Sequence, residues 1–284
     1  MKKIKILSLA CLSLISLASC RSKAEKESNH IISVAASESP HAKILNEAVK
    51  PLLAKKGFTL EVTVLDWTLQ NDAVYNGDYD ANYFQHRPYL QQFDSGTAVY
   101  QEDYRYTKVF PSALVHYEPL RIYPGKSAAS DFETKKKTAT YEICADTSNK
   151  IRALNLLKAA GAIDGYETTT DGEIKVPSNI TLIDENQLVA QKNDYDYAVL
   201  PCSTALIGNL LPDETLPVES GEVADRNANV LAANVKYYSK NETYRTKIDT
   251  LTDALLDTAV ADYIKNTWKG IIAVDQKKLP IPQK

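Results

Sequence analysis

The chain is poor in the residues that build metal centres and nucleophilic catalytic sites. Its 284 residues include four cysteines, four histidines and one methionine, which is Met1. It has no G-x-S-x-G or H-E-x-x-H motif and no glycine-rich phosphate loop. Two of the cysteines lie within the first twenty residues, and the remaining two are too few for a structural zinc site. We therefore expect no enzymatic activity, no metal and no cofactor.

Long apolar runs are also missing, apart from one at the amino terminus. Three lysines within the first five residues precede the apolar run of residues 6–18, which is too short to span a bilayer as a permanent helix. The sequence LASC follows at residues 17–20. Small residues before a cysteine, directly after an apolar segment, form the lipobox of bacterial lipoproteins. We predict that residues 1–19 are a signal peptide and that Cys20 carries a lipid, which anchors the chain outside the cytoplasm on the cell membrane.

The charge and length of the predicted mature chain narrow its class further. Removing residues 1–19 from 284 leaves 265 residues, enough for one large domain or two lobes. Removing three lysines from 33 basic residues, against 36 acidic ones, leaves a net charge of −6. This mildly acidic balance argues against nucleic-acid binding. Residues 20–29 are polar and aperiodic, which predicts a flexible tether between the lipid and the fold.

Strands and helices alternate in the mature chain in a way that predicts parallel sheets. Residues 31–36 read as a buried strand, and an amphipathic helix follows Ser39, with a kink at Pro51 and an end at Gly57. Residues 58–65 alternate as a second strand, which completes a βαβ unit. The rhythm returns later, with predicted strands at 138–144, 195–200 and 230–235 and helices at 148–160, from about 203, and over 243–266. Two α/β modules are indicated.

Several segments of the chain carry a family resemblance. The most specific is the run DANYFQHRPYL at residues 80–90, and shorter matches lie at 34–53, 115–120, 146–154 and 268–270. Together they resemble the NlpA-type lipoproteins, the substrate-binding proteins of methionine ABC transporters. The resemblance implies a two-lobed α/β clam of the periplasmic-binding-protein type (type 2-like), with two crossovers between the lobes. Lobe one would comprise residues 30–118 and 225–284, lobe two would comprise 119–224, and ligand would bind in the cleft.

The resemblance also implies which side chains bind an amino-acid ligand. Arg152, with Asn149 in an Asn-x-x-Arg pattern near a helix start, is the expected clamp on the ligand carboxylate. Asn229 is expected to bind the ammonium and carboxylate groups. The pocket for a methionine-like side chain is assigned to four residues, which are Trp67, Tyr83, Phe84 and His86. Since neighbouring residues of a strand point to opposite faces, only one of Tyr83 and Phe84 need face the ligand.

Two positions depart from the family pattern. Pro201-Cys202-Ser203 stands where the family commonly has Asn-Gly-Asn, so one polar contact is missing, and Cys144 replaces a proline at the end of its strand. Both cysteines fall at carboxyl ends of lobe-two strands in an exported chain, so we predict a disulfide between Cys144 and Cys202. The alternative is two buried free thiols. The ligand is then methionine, a relative of methionine, another amino acid or a short peptide.

These expectations describe a monomeric binding protein that delivers a methionine-like amino acid to an ABC permease in the membrane. The alternative is a surface lipoprotein, an adhesin or sensor, that keeps the fold without transport. Genes for an ATPase and a permease beside this one would favour transport. An enzyme on the same scaffold would need a nucleophile in the cleft, and only Cys144 or Cys202 is suitable.

Overall fold

The computed structural model describes residues 29–97, 99–169, 173–269 and 272–281. The predicted signal peptide, Cys20 and all but the last residue of the predicted tether lie outside the described residues. None of the helices within these ranges combines the length and the apolar character that crossing a membrane requires.

Twelve strands occur in the described residues, and their bounds are β1 Ile31–Ala36, β2 Thr59–Val64, β3 Ala81–His86, β4 Val109–Tyr117, β5 Leu120–Pro124, β6 Tyr141–Cys144, β7 Glu167–Thr168, β8 Ile174–Lys175, β9 Ile180–Ile183, β10 Tyr197–Pro201, β11 Ala228–Asn234 and β12 Ala273–Lys278. The same residues contain the helices α1 Lys50–Lys55, α2 Trp67–Asn76, α3 Arg87–Ser95, α4 Phe132–Lys135, α5 Thr147–Ala159, α6 Leu188–Gln191, α7 Cys202–Ile207, α8 Ala224–Asn227, α9 Val235–Lys240, α10 Glu242–Leu255 and α11 Thr258–Thr267. Short 3-10 turns lie at Ala129–Asp131, Glu185–Gln187, Lys192–Asp194 and Gly221–Val223.

The strands form two main sheets, one in each lobe. The first has the order β12-β4-β11-β3-β1-β2 and the second the order β5-β10-β6-β9, while β7 and β8 form a small separate pair. In the first sheet β1 runs parallel to β2 and β3, and in the second β6 runs parallel to β9 and β10. The predicted two-lobed α/β architecture is confirmed. The chain changes sheets between β4 and β5 and again between β10 and β11, and the lobe boundaries after residues 118 and 224 stay a prediction.

Each sheet has its own apolar core. In lobe one the side chains of β1, β3 and β4 pack against the segment from Ile44 to Leu53 and against α10 and α11. In lobe two β6 and β10 pack against one face of α5. All nine residues of β4 are buried, because this strand lies inside its sheet and is covered on both faces. The cores hold the carboxyl ends of the parallel strands at fixed positions.

Two helices differ from their predicted form. The segment before α1 consists of π-type turns at Glu38–Ala42 and Ile44–Val49, and the N–H of Lys50 bonds to the carbonyl of Leu45. Pro51 therefore lies at the start of α1 rather than at a kink inside one long helix, in a position where its missing N–H costs little. The helix predicted over 243–266 is two helices, because the side chain of Asp257 accepts from the N–H of Ala259 and caps α11.

Candidate ligand-binding site

A cavity of about 490 Å³ lies between the two lobes. Lobe one contributes residues that follow β1 and β2 and those at the end of β3, and lobe two contributes residues that follow β6, β9 and β10. Loops at the carboxyl ends of strands are where open α/β sheets bind ligands, and small-molecule pockets have volumes of roughly 300–1,000 Å³. Six of the predicted ligand-binding residues line the cavity, namely Trp67, Phe84, His86, Asn149, Arg152 and Asn229.

Tyr83 does not line the cavity, which corrects the prediction that it forms a wall of the ligand pocket. Alternation along β3 turns Phe84 toward the cavity and Tyr83 into the core of lobe one, where it is completely buried. Its hydroxyl forms a short hydrogen bond with Nδ1 of His116. Tyr83 thus positions the buried His116 of β4 and has no direct access to a ligand.

His86 joins the two sides of the cavity. It ends β3 and caps α3, where its Nδ1 accepts a hydrogen bond from the N–H of Tyr89 at 3.2 Å. The proton is therefore on Nε2, which donates to Oδ1 of Asn149 at 3.1 Å across the cavity. Burial, together with nearby Arg152, lowers the pKa of His86 to about 4, so the ring is neutral at pH 7.

The guanidinium of Arg152 is already paired by groups of the protein. Its Nε and Nη2 donate to the two carboxylate oxygens of Glu219 at 3.0 and 2.5 Å. Nη2 also donates to the carbonyl of Glu118 at 2.9 Å, and Nη1 donates to Oδ1 of Asn149 at 3.0 Å. Glu219 thus binds the two nitrogens of Arg152 that we expected to bind a ligand carboxylate. The role of Arg152 as a clamp on ligand stays a prediction, with Nη1 as its nearest available donor.

Glu219 connects the segments in which the chain changes sheets. Its Oε2 accepts from the hydroxyl of Tyr117 at 2.8 Å and from the N–H of Leu120 at 3.2 Å, and Oε1 accepts from Nδ2 of Asn227 at 3.3 Å. Burial would raise the pKa of Glu219, but Arg152 and the other donors lower it overall. The ionised pair therefore ties α5 to both crossovers. No motif in the sequence marks Glu219, and sequence reasoning missed it.

Aromatic rings form one wall of the cavity. The ring of Tyr89 lies 5.4 Å from that of Trp67 and 5.9 Å from that of Phe84, in edge-on contacts. Tyr89 also lines the cavity and was missed in the sequence. Its spacing could have revealed it, because a residue three positions after His86, at the start of a helix, lies on the same face.

Glu118, at the first crossover, lies beside His41 of the segment that follows β1. Oε1 of Glu118 accepts from Nε2 of His116 at 2.6 Å and lies 3.3 Å from Nε2 of His41, which is also 3.2 Å from Oδ1 of Asn229. Burial would raise the pKa of Glu118, but the two histidines and Ser203 lower it to about 2. Burial lowers the pKa of His41 to about 4, and its Nδ1 has no partner among the described residues. The carboxylate of Glu118 and the side-chain oxygen of Asn229 suit a ligand ammonium group.

Glu185 faces the same cavity from lobe two. The hydroxyl of Thr204 donates to its Oε1 at 2.8 Å, and the thiol of Cys144 lies 3.9 Å from its Oε2. No lysine, arginine or histidine of the described residues forms an ion pair with it. Burial and, next, the charge of Asp146 raise the pKa of Glu185 to about 7. Sequence reasoning missed this residue as well.

Cys144 and Cys202 are free thiols, so the predicted disulfide is wrong. The strands that carry them are neighbours, but the register pairs Ile143 with Val199, which sets Cys144 beside Leu200 rather than Cys202. The Cys144 thiol donates to Asp146 at 2.8 Å, and the Cys202 thiol donates to the carbonyl of Pro119 at 2.8 Å. The two sulfurs thus have separate partners.

Two clusters in the described residues bring potential metal ligands together, and they are His41, His116 and Glu118 in one and Cys144, Asp146 and Glu185 in the other. In the first, Glu118 accepts a hydrogen bond from His116 and lies 3.3 Å from Nε2 of His41. In the second, the thiol and a carboxylate are in direct contact. Neither arrangement calls for an ion, and the expectation of no metal stays a prediction.

Comparison with known proteins identifies relatives over nearly the whole chain. A methionine-binding lipoprotein, MetQ of Bacillus subtilis (strain 168), is 31% identical over 268 residues, which cover 90% of this chain and 92% of that one. The membrane lipoprotein TpN32 of Treponema pallidum (strain Nichols) is 29% identical over 243 residues, covering 81% and 83% of the two chains. A nutrient-binding protein of Burkholderia cenocepacia, solved with bound methionine, superposes with a TM-score of 0.69 at 25% identity and covers 86% of this chain and 99% of its own.

The family model for the NlpA lipoproteins matches residues 32–274, a range that includes every residue of the cavity named above and all of both sheets except Ile31 and the last four residues of β12. The resemblance noted in the segment at residues 80–90 therefore extends over nearly the complete fold. The chain belongs to the NlpA lipoprotein family.

Proposed function

We propose that this chain is the substrate-binding protein of an ABC importer and that it binds methionine or a related amino acid in the interlobe cavity. The observation that supports this most is the hydrogen bond from His86 to Asn149, which crosses a cavity lined by both lobes. A ligand there contacts both lobes at once, so its binding favours the closed arrangement that a permease can recognise. MetQ of Bacillus subtilis is named as methionine-binding, and the Burkholderia cenocepacia structure holds methionine.

The proposal assigns the three parts of an amino acid to three regions of the cavity. The ammonium group is bound by the carboxylate of Glu118 and the side-chain oxygen of Asn229, which supply a charge and an acceptor. The carboxylate is bound by Nη1 of Arg152 with Asn149. The side chain lies against the aromatic wall, whose members are Trp67, Phe84 and Tyr89.

The location, the oligomeric state and the membrane partner of the protein complete the proposal. Membership of the NlpA lipoproteins supports an extracytoplasmic, lipid-anchored location, and we assign the anchor to Cys20. The binding protein acts as a monomer, delivers its ligand to a permease in the same membrane, and catalyses no reaction. The rival role is that of an adhesin or sensor that keeps the fold but takes no part in transport.

Small molecules released from freshly purified, denatured protein and identified by mass spectrometry test the proposal. We expect a stoichiometric amount of an amino acid. Calorimetry with that amino acid should then show binding to the wild type and a loss of binding in Asn229→Ala. Asn155→Ala is the matched control, because Asn155 is exposed on α5 away from the cavity. Protein without a released amino acid and without binding to any of the twenty would contradict the proposal and favour the adhesin or sensor.

A further inference from the structure

The cavity has more acidic than basic groups in its lining. Four carboxylic residues line it, and they are Glu38, Asp66, Glu118 and Glu185. Among the described residues of the lining, Arg152 is the single arginine and there is no lysine. His41 and His86 add no charge at pH 7, because burial lowers the pKa of each to about 4. The lining is therefore negative overall before a ligand binds.

Most of these charges already have partners within the protein. Arg152 is neutralised by Glu219 at 2.5 Å. Glu118 accepts from His116, and Asp66 caps α2 by accepting from the N–H and the hydroxyl of Thr68 at 2.9 and 2.5 Å. Glu185 has one hydroxyl donor and no cationic partner in the described parts of the chain. Glu38 is exposed to solvent, so Glu185 is the acidic group of the enclosed cavity whose charge is least compensated.

The charged and titratable groups that face Glu185 come from several elements, and most of them are acidic. Asp146 and Cys144 lie beside it at the end of β6 and the start of α5. Glu118 and Arg152 act on it from farther away, and the Arg152 contribution is the smallest of those that shift its pKa. The net effect of this environment is that ionised Glu185 lacks a counter-charge, which a ligand cation would supply.

Aromatic rings line the same cavity as this carboxyl group. Tyr89 lies close enough to Asp146 and Glu185 that their charges, after burial itself, raise the pKa of its hydroxyl. The ring of Tyr89 in turn contacts that of Trp67. Aromatic faces attract cations, and a carboxylate beside them is a common arrangement for binding organic cations. A thioether side chain would contact the rings and leave Glu185 without a counter-charge.

We propose that the ligand is an amino acid whose side chain ends in a positive charge, and that this charge lies between Glu185 and the rings of Tyr89 and Trp67. The chemical class comprises side chains that end in an ammonium, guanidinium or sulfonium group. This inference rests on the proposed function, because it places the ligand's own ammonium and carboxylate groups at Glu118 and Arg152. It narrows the amino acid of the proposed function to one whose side chain carries a positive charge.

Two pairs of ligands isolate the charge, and calorimetry on the full mature domain measures it. Lysine and norleucine share an aliphatic chain, and S-methylmethionine differs from methionine by one methyl group and one charge. In each pair the cationic ligand should bind at least about tenfold more tightly, the scale of a charge-assisted hydrogen bond in a partly desolvated site. Glu185→Gln should reduce each difference to less than about threefold. Glu133→Gln removes the same charge from an exposed site on α4 and should leave the differences unchanged.

Proton release provides a second readout that does not depend on a variant. Because the pKa of Glu185 is about 7 without ligand, a bound cation should expel the proton from the protonated fraction of the molecules. The affinity for lysine should therefore rise from pH 6 to pH 8, and binding heats should differ between buffers of different ionisation enthalpy. Norleucine should show neither effect.

The outcomes separate this inference from the function on which it rests. If norleucine and methionine bind as tightly as lysine and S-methylmethionine, and no proton is released, the inference is wrong and the amino-acid-binding function stands. If none of the four ligands nor any other amino acid binds, the proposed function fails, and the inference fails with it. If Glu185→Gln does not fold, the comparison of the four ligands on the wild type still shows whether the site prefers a cationic side chain.

Discussion

The two ends of the cavity carry buried charge in opposite ways. At one end Arg152 and Glu219 form a bidentate pair, and every nitrogen of the guanidinium has a partner. At the other end Glu185 lies beside Asp146 and Cys144, with one hydroxyl donor from Thr204. Removing one member of a compensated pair leaves the other buried and unpaired, whereas removing an uncompensated charge removes an energetic cost. The first charge stabilises the fold, and the second has the ligand as its partner.

The largest effect is expected from Arg152→Gln. The change leaves Glu219 ionised and buried and also removes a donor from the carbonyl of Glu118. Breaking a buried pair in this way costs roughly 3–5 kcal/mol of unfolding free energy. Urea denaturation at pH 7, without ligand, measures it.

The control for this prediction removes both charges together. Arg152→Gln combined with Glu219→Gln should recover most of the loss, because two neutral amides replace an unpaired ion. A loss of less than about 1 kcal/mol in the single variant would be typical of an exposed ion pair. It would mean that Arg152 is not a structural anchor, and the contrast between the two ends would disappear.

The opposite sign is expected for Glu185→Gln. The folded state holds the Glu185 proton up to a pKa of about 7, against 4.5 as its ordinary value. Between these values folding binds a proton, so wild-type stability falls as the pH rises, and above pH 7 the full cost remains. At about 1.4 kcal/mol per pKa unit the cost is roughly 3.5 kcal/mol at most. The variant should match the wild type near pH 4 and exceed its melting temperature at pH 8.

Glu142 offers a matched control, because it is an uncompensated carboxyl group outside the cavity. It is fully buried in β6, neither oxygen has a partner among the described residues, and burial followed by the charge of Asp194 raises its pKa to about 8. Glu142→Gln should also stabilise the protein above pH 8, for the same reason. It should not change the affinity for any amino acid. A change in affinity equal to that of Glu185→Gln would show that stability, not contact with ligand, controls binding.

The sequence was sufficient for the two-lobed α/β architecture and for residues that belong to local motifs, but the antiparallel pairing of β11 with β3 and β4 was not expected. Apolar periodicity marks β1, α5 and β10 within a few residues, and the run at residues 80–90 carries Phe84 and His86 into the cavity. The residues that sequence reasoning missed act through distant partners. Glu219 is 67 positions from Arg152, and the environment of Glu185 depends on the packing of β9 against β6. No local pattern encodes such pairings.

The disulfide shows how a correct coarse placement can fail in detail. Both cysteines do lie at the ends of neighbouring strands, as the α/β pattern predicted. A disulfide also requires suitable Cβ directions, which depend on the turn that follows each strand. Cys202 is the first residue of α7, and its thiol turns to the carbonyl of Pro119. Strand order was predictable from the sequence, and the turn geometry was not.

The smallest effect is expected from Trp67→Phe, which tests whether the aromatic wall recognises charge or only shape. The indole edge contacts Tyr89, and its Nε1 has no partner among the described residues, so phenylalanine keeps a ring and removes an unsatisfied donor. A cation over an aromatic face gains about 0.5–1 kcal/mol, which is roughly two- to fivefold in affinity. Because the phenyl ring keeps a weaker attraction for cations, the affinity for lysine at pH 8 should fall by at most that factor, while norleucine should bind equally to both proteins.

Trp268→Phe is the control for this change, because Trp268 packs against Tyr263 in the core of lobe one and does not line the cavity. It should alter stability and leave both affinities unchanged. An equal loss of lysine and norleucine binding in Trp67→Phe would mean that the indole contributes apolar contact alone. Recognition of the positive charge would then depend on Glu185 alone. The aromatic rings would play no part in the contrast between the paired charge of Arg152 and the unpaired charge of Glu185.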